Sequence, residues 1–185
     1  MLLNTDIILN HPIWERADTE LCGKEGISLF NRLVDVYILA CAIGIKEDKT
    51  LPAPEDASSV VKTIGRNTYM SLTNTNLREL LDFMLQNAII NSKTLSFDVD
   101  ERLKLAFDPD YNITKFSPAS FLTGFANYGI DQIFKHIDSQ SSLLAVDEIY
   151  KYFTSLEESK YDEILKNITL DKVDKWFMPG RVNYL

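Results

Sequence analysis

Apolar residues recur along this chain at intervals of three and four, and glycine and proline are scarce, 7 and 6 of 185 residues. Such a pattern predicts helices. The first strong segment runs from Leu29 to Ile43, with Ser28 as its N-cap. Phe30, Leu33, Val34, Tyr37, Ile38 and Cys41 form one stripe, and Leu29, Val36, Leu39, Ala40 and Ile43 fill much of the remaining circumference. A helix apolar nearly all round belongs at the centre of a fold, and Gly44 suits its C-terminus. Ile45 to Ala57, with Pro52 and Pro54, reads as a polar, turn-rich loop. Between Val60 and Leu72, β-branched side chains and Gly65 weaken a helix, so a minor β element is expected near 60–72 or 94–98.

Asn76 followed by Glu79 has the spacing of a capping box, and Leu77, Leu80, Leu81, Met84, Leu85 and Ala88 then trace one helical face. Asp98 and Glu101 repeat the box before a shorter helix that Asp108-Pro109 must end. Ser117-Pro118 opens another, whose face is Phe121, Leu122, Phe125, Ala126, Ile130, Ile133, Phe134 and Ile137. Gly129 lies on that face, where it either breaks the helix or admits a close neighbour. The period continues through Leu143, Val146, Ile149, Tyr150, Phe153 and Leu156, then Tyr161, Ile164, Leu165 and Ile168. A last short segment carries Val173, Trp176 and Phe177 before Pro179-Gly180. No fixed repeat or low-complexity linker divides the chain. The expected architecture is all-α: a single helical domain over 1–185, with 169–185 as a docking tail.

Composition adds exclusions. With 45% apolar and 25% charged residues the chain is an ordinary globular one, long enough to bury a core without a disulfide or metal staple. A net charge of −8 repels a phosphate backbone, and no basic run offsets it, so independent nucleic-acid binding is disfavoured. No basic amphipathic segment offers membrane-surface binding, and Val36 to Ile45 is about half the ~20 apolar residues a span requires. The first residues lack the cationic flank and apolar core of a signal peptide, so a cytoplasmic location is the expectation. Cys22, Cys41, His11 and His136 are too scattered for a zinc site, and no cofactor is expected.

Candidate chemistry is sparse. Asp110, then Glu158-Ser159-Lys160, is the order of a metal-dependent nuclease, in which two acids hold the cation and the lysine orients water. That arrangement belongs on adjacent strands, yet Glu158 and Lys160 fall between helical patterns. Capping and solvation account for Asp98 and Glu101 better than a calcium loop does. No phosphate-binding loop and no nucleophile elbow occur, and His136 reads as a boundary histidine. A helix-turn-helix regulator would have to enter the major groove with a helix that opens on Asp98, Asp100 and Glu101, with only Arg102 and Lys104 to compensate. The C-terminal stretch is different. Trp176, Phe177, Met178, Tyr184 and Leu185 concentrate bulky apolar groups around a Pro-Gly break, and such residues either pack on their own domain or anchor a partner.

Two segments resemble the DNA phosphorothioation-associated protein 4 family. One is the run from Phe30 through Asp35 to the small residues closed by Gly44; the other is Phe125-Ala126-Asn127-Tyr128-Gly129-Ile130. Order and approximate spacing agree. In place of that family's basic loop and Glu-Pro-Ile element stand a mixed-charge stretch and Pro54-Glu55-Asp56, and some fifty residues follow the second segment. The resemblance implies a small accessory protein of bacterial DNA-modification or anti-phage defence machinery, with no catalytic residues to carry over. The expectation is therefore a non-enzymatic subunit docking on a larger partner such as a helicase, nuclease or ATPase. The alternatives are the nuclease on Asp110, Glu158 and Lys160, and the DNA-binding or antitoxin-like regulator.

Overall fold

A computed structural model describes residues 3–23, 29–54, 62–70, 75–108, 110–111, 113–114, 116–137, 147–152 and 154–156. The fold is mostly helical with one two-stranded sheet. In chain order its elements are β1 (Ile7–Leu9), α1 (Ile13–Arg16, continued by a π-helical turn over Ala17–Leu21), α2 (Leu33–Glu47), β2 (Lys62–Ile64), α3 (Arg66–Met70), α4 (Thr75–Asn91), α5 (Val99–Phe107), α6 (Pro118–Ile137) and α7 (residues 147–152 and 154–156). The strands are antiparallel, with Ile8 opposite Thr63. The β element expected near 60–72 is thus β2, whereas residues 94–98 form turn and coil.

The centre is the pair α2 and α6. Val36, Tyr37, Ala40, Cys41 and Ile43 of α2 are fully buried, as are Leu122, Phe125, Ala126 and Ile130 of α6. The axes come close because glycine faces backbone on both sides. A Cβ on Gly129 would lie 1.9 Å from the Ala40 carbonyl oxygen, and one on Gly44 would lie 2.2 Å from that of Phe125. Gly129 therefore admits a neighbour, and α6 runs through it without a break. Trp14 closes this core, fully buried and tilted against Tyr37 at 5.8 Å. Its indole N–H donates to Asn127 Oδ1 at 2.7 Å, and Asn127 Nδ2 donates to the Leu51 carbonyl at 3.1 Å.

Three helix boundaries differ from expectation. α2 starts at Leu33, because Arg32 is extended (φ −143°, ψ 142°) and the Phe30 N–H is bonded to the Leu21 carbonyl. Ser28 lies outside the described residues. The same helix continues past Gly44 into the expected loop and ends at Asp48, which takes the left-handed conformation at φ 51°. Aspartate tolerates that region better than most side chains. α4 begins at Thr75, so Asn76 sits inside its first turn and is not the cap. By contrast Asp98 and Glu101 form the expected reciprocal capping box. Ser117 Oγ accepts the Ser120 N–H at 3.3 Å at the start of α6, with Pro118 as its first residue. In α7, Ile149 packs on the core as the spacing predicts, whereas Tyr150 is exposed and Tyr152 takes the inward place. Leu143, Val146 and Phe153 lie outside the described residues.

Candidate functional site

Most titratable side chains are engaged in structure. Glu47 at the end of α2 joins three elements through hydrogen bonds. Its Oε2 accepts from Lys49 Nζ at 2.8 Å and Tyr128 OH at 2.7 Å, and its Oε1 accepts from Tyr152 OH. The Tyr152 ring stacks on His136 with centroids 4.1 Å apart. Burial pushes the Glu47 carboxyl up, and the three hydrogen bonds, from Lys49, Tyr152 and Tyr128, together outweigh it and hold the group below its ordinary value. A carboxylate so held stays ionised and accepts only, which suits a clamp between α2, α6 and α7 and not a proton donor. His136 accordingly sits at a boundary, half-buried against a tyrosine.

The thiols are quiet. Burial raises Cys41 far above its normal range, and burial followed by the charges of Asp18 and Asp35 pushes Cys22 up to about 11. Neither is a thiolate at neutral pH. His11 Nδ1 accepts the Ile13 N–H at 3.2 Å, and burial lowers its pKa against the opposing pull of Asp131. Among the described residues no group of three or more His, Cys, Asp or Glu converges as metal ligands do.

Of the nuclease residues, Asp110 stands in an exposed turn, its N–H bonded to Asp108 Oδ1 at 3.0 Å. Glu158 and Lys160 lie outside the described residues. Neither strand carries a carboxylate. The helix-turn-helix candidate loses a cation as well. Arg102 turns inward, donating to the carbonyls of Phe97 at 2.9 Å, Ile90 at 3.2 Å, Ser92 at 2.6 Å and Leu95. It closes the C-terminal end of α4 and is not presented to a phosphate.

What the fold does present is apolar surface. Val99, Leu103 and Phe107 are spaced four apart on one face of α5 and are 71, 44 and 59% exposed. On α4, Leu80 and Phe83 are 42 and 63% exposed. α5 is held rigidly for so short a helix, by its capping box, by Arg102 and by Gln86 Nε2 donating to the Ala106 carbonyl at 3.3 Å. Beside Phe83 a groove of about 580 Å³ opens between α2 and α4. Ile45, Met84, Ala88 and Phe125 line it, and Lys46 and Lys93 stand at its rim. Asp48 lines the same groove: its Oδ2 accepts the Lys93 N–H at 3.0 Å, and its buried Oδ1 has no hydrogen-bond partner among the described residues.

Trp176, Phe177, Met178, Tyr184 and Leu185 lie outside the described residues. The sequence does not mark the α4 and α5 faces as a partner surface, since periodicity shows an apolar face without saying whether anything covers it. The two segments that carry the family resemblance fold against each other. Ala40 and Gly44 on one side meet Phe125 and Gly129 on the other, and Asn127 holds Trp14, so these residues have packing roles. No protein-family model matches the chain, and no curated protein or solved structure matches it either.

Proposed function

We propose that this chain is a non-enzymatic interaction protein, an accessory subunit of a bacterial DNA-modification or anti-phage defence assembly that docks on a larger DNA-processing protein. The observation that carries the docking role is the Val99, Leu103 and Phe107 face of α5. Fully burying side chains of this size is worth about 1.5–3 kcal/mol each, and contiguous exposed apolar groups on a rigid element mark interaction sites. The surrounding charge favours a basic partner surface, which would set encounter rate and specificity while apolar anchors hold the complex. Trp176, Phe177, Met178, Tyr184 and Leu185 supply a second set of anchors. The defence setting rests on the resemblance of residues 30–44 and 125–130.

The test is affinity capture from the native host with the chain and with its L103D/F107D variant. A helicase, nuclease or ATPase should be retained by the former and lost from the latter, with the circular dichroism of both unchanged. A monodisperse monomer that retains nothing, or equal retention by both forms, overturns the proposal.

A further inference from the structure

The exposed stripe of α5 is its own complement. Val99, Leu103 and Phe107 are evenly spaced along the helix, so a second α5 laid antiparallel about Leu103 meets them residue for residue. Leu103 then faces Leu103, and the small Val99 faces the large Phe107 at both ends. A two-fold contact requires this property, because one patch must serve on both sides.

The charges beside the stripe agree with the same pairing. At about 100° per residue, Asp100 and Lys104 fall on one flank of it and Arg102 and Ala106 on the other. The second flank is closed, since Ala106 is buried and Arg102 turns inward onto the Ser92 carbonyl. The first is open. Asp100 and Lys104 are exposed, and neither side chain has an ion pair or hydrogen bond among the described residues. In the antiparallel pair the two open flanks face each other, with Asp100 of one copy about 3 Å along the axis from Lys104 of the other. Two opposite-charge pairs then bracket the apolar contact, and such complementarity fixes register. The capping box and Arg102 already hold α5 in place, so little order is lost on pairing. A nine-residue helix buries less than the roughly 800 Å² per partner of a standard interface, which makes the pair a weak, exchanging one.

We propose that two copies of this chain pair through α5, antiparallel about Leu103, and so cover the docking face while no larger partner is bound. The inference rests on the reading of α5 as a docking surface and names a second occupant for it.

The experiment uses the full chain in a C22S background, which leaves the buried Cys41 as the one native thiol. V99C and F107C chains are oxidised alone and mixed, at about 0.15 M salt, where a Debye length of about 8 Å screens the mutual repulsion of acidic chains. In the proposed pair Val99 of one copy lies about 12 Å along the axis from Val99 of the other, beyond the roughly 7 Å that a disulfide can bridge, but it lies beside Phe107. The mixture should therefore form disulfide-linked dimer about tenfold faster or more than either chain alone. Charge supplies the second arm. L103C/C22S should crosslink by itself, D100K or K104D added to it should slow the reaction, and mixing the D100K and K104D chains should restore the rate. Only the mixed pair regains opposite charges across the contact, and mixing repairs no folding defect of either chain. Equal rates in the mixed and separate V99C and F107C chains overturn the proposal, as does a D100K and K104D mixture that stays as slow as its components. Affinity capture separates this result from the proposed function. A larger partner retained by chains that show no register-specific crosslink removes the pairing and leaves that function standing, whereas crosslinking in this register with no partner retained does the reverse.

Discussion

Gly129 and Ala40 touch backbone to backbone: a methyl group on Gly129 would stand 1.9 Å from the Ala40 carbonyl oxygen. Gly44 repeats the relationship against Phe125, so the central helix pair is held at a separation only glycine permits. In an exposed helix, glycine to alanine gains about 1 kcal/mol from propensity. Here the overlap forces α2 and α6 apart, and overpacking of that kind costs about 1–3 kcal/mol or more. G129A and G44A are each expected to lower stability by about 2 kcal/mol net, a fall of roughly 4–8 °C in Tm for a chain of this size. G124A is the control. Its Cβ would be 3.4 Å from the Thr50 side chain, ordinary contact, so thermal unfolding should show no loss.

Asn127 answers two groups at once, the buried Trp14 indole N–H and the part-buried Leu51 carbonyl. N127L keeps the branched shape, though not the volume, and leaves both unpaired. Each orphaned group costs about 1–3 kcal/mol, so a loss of about 2–4 kcal/mol is expected from urea unfolding followed by far-ultraviolet circular dichroism. In a W14F background N127L should cost less than in the unmodified chain, because the indole donor is then gone. Destabilisation that simply adds would show that the 2.7 Å bond is not what Asn127 contributes.

How much of this was legible beforehand depended on the reach of each interaction. The Asp98–Glu101 box is complete within four residues, and Ser117-Pro118 likewise states its role locally. Gly129 read two ways because the answer lies at Ala40, in another helix. Leu29 and Phe30 share the period of α2 yet stand outside it, since the Phe30 N–H is taken by Leu21. Gly44 looked like a terminus and is an interior contact, while Asp48 supplies the left-handed residue that ends the helix. β1 is three residues long, and its pairing with β2, more than fifty residues away, leaves no local signature. For the site the difficulty is sharper. The Glu47–Tyr152 bond joins residues 105 apart. The α5 face is readable as apolar from Val99, Leu103 and Phe107, but its exposure follows only once Leu105 and Ala106 are seen to take the inside.

Glu47 makes stability depend on acid in a defined direction. Burial raises its pKa, and the bonds from Lys49, Tyr152 and Tyr128 more than reverse this, leaving it below the 4.5 of an unperturbed glutamate. A folded-state value below the unfolded one means that the unfolded chain binds the proton more readily. The stabilisation is therefore fully present above about pH 4.5 and is lost as pH falls through the folded-state value. E47Q should lower stability at neutral pH and narrow its gap to the unmodified chain as the pH drops from 5 toward 3, measured by urea midpoints across that range. Hydrogen exchange should localise the neutral-pH effect to α7, which Tyr152 fastens to this carboxylate. A gap that stays constant with pH would mean that the side chain acts through packing alone.

Arg102 ties four carbonyls, and two of them, Ile90 and Ser92, belong to the end of α4 and the residue just after it. The last carbonyls of a helix have no partner within it, and a guanidinium can serve several at once because its donors are fixed in a planar fork. Lysine brings the same charge but only one nitrogen. R102K is therefore expected to behave nearly as R102M does, each losing about 2–3 kcal/mol, the scale of hydrogen bonds to a charged group. Amide exchange should quicken across residues 92–98 in both, since these carbonyls fold that turn around the side chain. If lysine restored the exchange pattern, the positive charge at the α4 C-terminus would be the operative feature; the forked geometry predicts that it does not.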